Sequence, residues 1–406
     1  MKHLPKLLFF LLLLFYPLFS FFVHLGSGLH PNYAFGLICF VFLAYRLLII
    51  YRDGSNLNVP YYLVLFAIFT TYAIFSNIIA SDELEVEGVF KYFYSNPFFL
   101  TLIAFLIVEN TVFPKRWIKW ASNILVGILI LAAAVSVIQV FDPLFFNYNA
   151  DLVGGLSYDR LEEYYRNNPE ESSGNVSRFF KNYRLSIYSY ITQISVGMDA
   201  IAIFSLLIAL KSKTWLRSAA LIAAAALISF LSSSRWIMLN FLVVASQIVW
   251  TAKNKVSSLI KYGLFGIAII LLMIPLLKFS GIDIERFTQD RLLSNSANTR
   301  IYAFEVFGKV FPDQPILGTG GVDTPKMERL IQGRTSQIHV GYLKLFYYYG
   351  LLGGILYLSF LVSMLVRLWK IGQRTGYWGG FYAILAFAIA NLTLVELDMF
   401  YHGIIL

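Results

Sequence analysis

The stretch Ser336–Arg367, SQIHVGYLKLFYYYGLLGGILYLSFLVSMLVR, decides the fold class of this chain. It opens polar, places His339 at its head, and then runs from Val340 to Val366 with Lys344 as its one charged residue. About 20 apolar residues suffice for a helix to cross the hydrocarbon core, so this run reads as a membrane span. The segment before it, from about Leu277, is charged and broken by Pro312, Pro315 and the glycines of PILGTGG. A chain that leaves lipid, carries charge through a long loop and re-enters beside a histidine gathers its chemistry at a membrane surface.

Working outward, the same apolar pattern repeats. Hydrophobic residues make up 58% of the 406 positions and charged ones only 14%, which excludes an ordinary soluble domain. Eleven spans are expected, at 7–23, 33–51, 60–80, 98–113, 120–141, 188–210, 218–233, 236–251, 262–278, 340–366 and 377–396. The first follows Lys2 and Lys6 but lacks a small-residue cleavage site, so a retained helix is expected rather than a signal peptide. Cys39, the single cysteine, lies within a span, which leaves no disulfide and no cysteine metal cluster. The five histidines are scattered without ligand spacing, and no metal site is expected. The fold class is therefore all-α: a polytopic membrane protein of about 11–12 helices in one domain, with long external loops at 142–187 and 279–338.

Charge supplies the orientation. With the N-terminus in the cytoplasm, the inner segments carry Lys2, Lys6, Arg46, Arg52, Lys115, Arg116, Lys119, Lys211, Lys213, Arg217, Lys253, Lys255, Lys261, Arg367, Lys370 and Arg374, against the lone acid Asp53. The outer loop DELEVEG is acidic. The net charge of +9 is thereby largely explained by orientation, and nucleic-acid binding is not implied.

Four positively charged or proton-exchanging residues enter the membrane zone from the outer side: Arg184, Arg235, Arg300 and His339. Arginine suits a phosphate because its planar fork can bond two oxygens at once. Taken singly, each arginine also fits a surface or snorkelling role. Their convergence with His339, which can exchange a proton near neutral pH, favours an anion site with acid–base capability. Ser234, Tyr342, Glu396 and Asp199 are candidate supporting residues, Asp199 because a carboxylate midway along a span needs a partner or a cavity. Glu109 lies close enough to Lys115 and Arg116 for a helix-end ion pair.

An ordered set of short motifs carries a resemblance. SSSR ends in Arg235 and opens a helix; Arg300 begins an amphipathic segment followed by PILGTG; His339 heads a helix containing YYGLLGG. In this order the chain resembles the O-antigen polymerase and O-antigen ligase (Wzy/WaaL) superfamily of bacterial membrane glycosyltransferases, over roughly residues 178–360. One departure is Val340, where many relatives have Asn after the histidine. The eleventh span also ends close to the last residue, where relatives often have further helices.

The resemblance implies a GT-C-like membrane fold in the bacterial plasma membrane, with the active site on the external face. It implies a glycan donor on polyprenyl diphosphate, with the diphosphate held by Arg235, Arg300 and Arg184. His339 would act as the catalytic residue on the acceptor hydroxyl. The donor is already activated, so neither metal nor other cofactor is implied. Partners would be the lipid-linked donor and acceptor and the bilayer, with a chain-length regulator as a further candidate. Polymerisation of repeat units is the leading expectation. Ligase-type transfer to lipid A core or protein is the alternative, and a transporter or flippase of lipid-linked sugar is the rival from another class. A non-catalytic scaffold would give no reason for the arginines and His339 to gather.

Overall fold

Asn96 shows how local chemistry starts an element in this chain. Its side-chain oxygen accepts from the backbone N–H groups of Phe98 (2.9 Å) and Phe99 (3.2 Å), and Pro97 takes the first helical position. Two N–H groups that no helix turn can satisfy are thus bonded, and Pro loses nothing there because its missing N–H would have been an orphan. In the computed structural model the described residues are 4–19, 31–54, 56–80, 96–142, 145–146, 215–232, 235–279, 298–331, 338–393, 395, 397 and 399.

Among them the elements are all helical. They are α1 (Leu4–Phe19), α2 (Pro31–Arg52), α3 (Tyr61–Ala80), α4 (Pro97–Glu109), α5 (Lys115–Phe141), α6 (Trp215–Leu231), α7 (Arg235–Thr251) and α8 (Lys255–Phe279). There follow α9 (Asn298–Val310), a 3-10 turn (Phe311–Asp313), α10 (Pro325–Ile331), α11 (Gly341–Thr375) and α12 (Gly379–Ala390). Helices α3, α5 and α11 are long and apolar enough to cross a membrane, and shorter apolar helices accompany them. The chain is an all-α polytopic membrane protein. The span expected at 188–210 lies outside the described residues, as do Arg184, Asp199, Ser234 and Glu396; of Arg235 only the backbone is described.

Three boundaries differ from expectation for local reasons. Helix α4 stops at Glu109 because Asn110 leaves helical geometry and its N–H bonds back to Ile107 and Val108. The last span ends at Ala390, where the N–H groups of Leu392 and Thr393 reach back only three residues, to Ile389 and Ala390. Helix α11 runs on to Thr375, with a break at Gly350. The segment 279–338, expected to be external, contains α9 and α10.

The chain divides into two compact units. The first comprises Met1–Ile118, Asn295–Ile371 and Phe387–Leu406. Its core interlocks rings from α3, α4 and α11. Phe66 stacks on Phe360 with centroids 4.2 Å apart, and Phe69 meets Phe98 and Tyr357 edge-on at 5.0 Å. Edge-to-face pairs add about 0.5–1.5 kcal/mol beyond the area they bury. That gain matters in a bilayer, where lipid tails are as apolar as the partners and packing carries association.

The second unit comprises Lys119–Ser294 and Gly372–Ala386. Helices α6, α7 and α8 pack on one another there. In α5 the buried positions Ala121, Leu125, Leu129, Ala132, Val135 and Ser136 recur at three to four residues, the spacing of one helix face.

Candidate functional site

The segment that the sequence marks as external folds on a small apolar core within the first unit. Ala303, Val306 and Val310 line one face of α9 at helical spacing and are at most 3% exposed, whereas Ile301 and Phe304 on its other side are exposed. That buried face packs with Met327 and Ile331 of α10, with Ile338 and Val340, and with Tyr347 of α11. Ile338 and Val340 flank His339 and are buried on either side of it, while His339 itself is half-buried. Arg300, also half-buried, stands in the first turn of α9, whose later turns fill the same core. One hydrophobic cluster therefore fixes the strand of chain bearing His339 and the helix bearing Arg300.

Each of these functional candidates heads a helix. Arg300 is the third residue of α9, His339 precedes α11 by two positions, and Arg235 is the first residue of α7. A helix N-terminus presents unsatisfied N–H groups and about half a positive elementary charge, which favours a bound anion. Arginine at such an end reinforces that preference.

The loop between α9 and α10 is built into α11 by its backbone. Gly350 adopts φ 61°, ψ −168°, which breaks the helical hydrogen-bond ladder about three turns after His339. The freed groups are taken up by PILGTGG. Leu351 and Leu352 donate N–H to the carbonyls of Pro315 (2.8 Å) and Ile316 (3.2 Å). In return the N–H groups of Thr319 and Gly320 bond the carbonyls of Tyr347 (3.1 Å) and Tyr348 (2.8 Å). Gly318, at φ 74°, lies so close that an added Cβ would meet the Gly350 nitrogen and, at 2.5 Å, the Tyr348 backbone carbon and oxygen. These glycines serve close backbone approach.

Helix α3 braces the same junction. The Tyr72 hydroxyl lies 2.6 Å from the Leu317 carbonyl and 3.2 Å from that of Tyr349. The Asn77 amide, oriented as its neighbours require, donates to the Gly320 carbonyl at 2.6 Å. On the other side, Tyr347 and Tyr348 reach the loop that leads to α10. The Tyr347 hydroxyl bonds Thr324 through its N–H and its hydroxyl, both at 2.9 Å, and the Tyr348 hydroxyl donates to Asp323 at 3.0 Å. Tyr342 is engaged structurally: its hydroxyl donates to the Ala388 carbonyl at 2.7 Å, tying the start of α11 to α12.

These motifs coincide with a family signature. Residues 218–358 match the family model of O-antigen ligase, from α6 through SSSR, α9, PILGTGG, His339 and the Gly350 break. Through this segment, about a third of its length, the chain is similar to the Wzy/WaaL superfamily. That similarity supports a membrane enzyme of the O-antigen polymerase and ligase type, a family whose substrates are lipid-linked oligosaccharides. No curated protein matches the chain.

Arg300 and His339 are marked by local motifs, whereas the residues that frame the PILGTGG junction are not. Tyr72, Asn77, Asp323 and Thr324 carry no local motif. Asn77, a polar amide within an apolar span, is the one among them that could have been flagged as needing a partner. The Val340 departure also acquires a reason: at 4% exposure among apolar residues, this position has no room for an unpartnered amide.

Proposed function

We propose that this chain is a polysaccharide polymerase that joins polyprenyl-diphosphate-linked oligosaccharide repeat units at the outer face of the bacterial plasma membrane. The observation that carries the reading is the shared core that fixes Arg300 and His339, each at a helix N-terminus, in one body of the molecule. Arg300 holds the diphosphate of the donor and stabilises the charge that grows as it departs; Arg235, which belongs to the second unit, and Arg184, which lies outside the described residues, stand as further candidates for that role. His339 accepts the proton of the acceptor hydroxyl as its oxygen attacks the anomeric carbon. A single displacement inverts that carbon. The leaving group is a lipid diphosphate, so the chain's own cations and helix ends suffice to receive the negative charge.

A second reading rests on the family match itself, whose description is O-antigen ligase. Ligase-type transfer to lipid A core or to protein uses the same donor and differs in its acceptor. The test is incubation of the purified full chain with a lipid-diphosphate-linked repeat unit. A glycan ladder that disappears on His339→Ala and on Arg300→Ala supports the polymerase. A single transfer seen only when lipid A core or a protein is supplied replaces it with the ligase. Movement of an unaltered donor across vesicles, without any product, refutes both.

A further inference from the structure

The second unit contains a groove that the proposed chemistry does not use. It has a volume of about 830 Å³ and lies among α6, α7 and α8, closed on one side by Tyr382 of α12. Its walls are largely apolar, with Leu227, Phe241, Leu242 and Ile267 among them. Gly263 and Gly266 of α8 line it too, and a Cβ built on either meets nothing within 4 Å, so the groove is open along their face.

One end of the groove is marked by charge and aromatic rings. Lys255, the first residue of α8, lines it and holds its ammonium 4.7 Å from the ring centre of Trp250, another lining residue. Trp250 in turn meets Trp378 edge-on at 6.5 Å. Lys253 lies in the same α7–α8 turn. Tryptophan paired with lysine at a helix end is the arrangement that sits at headgroup level in a bilayer.

We propose that this groove binds an anionic glycerophospholipid of the bilayer, with its phosphate on Lys255 and one acyl chain along α8. Charge selects the headgroup: the lining cation stands at the mouth of an otherwise apolar channel, and basic pockets between helices favour anionic lipids. Depth selects the tail. From Lys255 to Ile267 the helix rises about 18 Å at about 1.5 Å per residue, close to half of a hydrocarbon core about 30 Å thick. A phospholipid chain from the leaflet at the Lys255 end fills that depth, whereas a polyprenyl tail is far longer.

The test is native mass spectrometry of the detergent-solubilised full chain, titrated with phosphatidylglycerol and phosphatidylcholine of matched acyl chains. Phosphatidylglycerol is expected to be retained about five-fold better, the effect of one lysine near a lipid phosphate. Lys255→Glu should bring that ratio to about one, Lys255→Arg should keep it, and Gly266→Leu should reduce retention of both lipids by filling the groove. Lys255→Glu, at a helix end, carries the test alone where the glycine variant is not recovered. Equal retention of the two lipids, or a ratio unchanged by Lys255→Glu, overturns the proposal. So does displacement of phosphatidylglycerol by polyprenyl phosphate, which would make the carrier lipid the occupant.

Discussion

Arg367 donates from Nη2 to Glu109 Oε2 at 2.7 Å, joining two residues 258 positions apart in the chain. Glu109 also accepts from the Tyr62 hydroxyl at 2.7 Å and from Asn58 at 3.2 Å, and the Arg367 guanidinium lies 5.5 Å from the Tyr62 ring centre. The sequence-adjacent Lys115 and Arg116 had suggested a helix-end pair; the ion pair instead ties α4 to α11. Arg367 is the residue that ends the long apolar run, so its length of span is fastened at that end to a second helix.

Glu109→Ala should destabilise the protein by about 1–3 kcal/mol, because it leaves a guanidinium and a phenol without their acceptor. Arg367 is partly exposed, which keeps the loss below that of a fully buried pair. Thermal unfolding in detergent measures it. A double-mutant cycle with Arg367→Ala should show a smaller loss in the pair than the sum of the singles.

Gly350→Ala and Gly318→Ala should each cost more than about 3 kcal/mol, since both add positive-φ strain to a collision with backbone. Gly376→Ala is the internal comparison. It has φ 72° with nothing within 4 Å of a Cβ, so only the conformational cost of about 1–2 kcal/mol remains. Equal losses at the three positions would show that the loop–helix pairing contributes nothing.

Tyr72→Phe removes the hydroxyl that bridges the Leu317 and Tyr349 carbonyls. The expected loss is about 1–2 kcal/mol. Hydrogen exchange should localise it, with faster exchange at Thr319 and Gly320 and little change in α4.

Val340→Asn places an amide directly after His339 and should be harmful. An amide placed in the core shared by Ala303, Val306 and Ile338 costs about 1–3 kcal/mol unless it finds a partner. A lower melting temperature with no gain in glycan transfer is the expected result.

Residues Ser336–Arg367 show what the sequence could and could not reveal. The span, its histidine and its place after a charged segment were legible because apolar length and residue type are local properties. Helix α9 was legible as an amphipathic stretch for the same reason. The YYGLLGG motif marked Gly350, but not the PILGTGG loop that occupies the break there, because that partner is set by the fold and not by local pattern. Glu109 was misassigned for a related cause: proximity in sequence offered two cations, and folding supplied a third. Tyr72 and Tyr347 carried no local signal, since tyrosine is common throughout this chain and only their distant partners distinguish them.

Ile316 and Leu317 fasten the PILGTGG loop by their carbonyls, yet their side chains are 64% and 59% exposed. The identity of this segment is thus written in chain path and not in side chains. A library randomised at 316 and 317 should return a wide alphabet, whereas one at 318 and 350 should return glycine alone. What this part of the chain has to keep is therefore its backbone path and the two glycines, while the outward side chains at 316 and 317 are free to change.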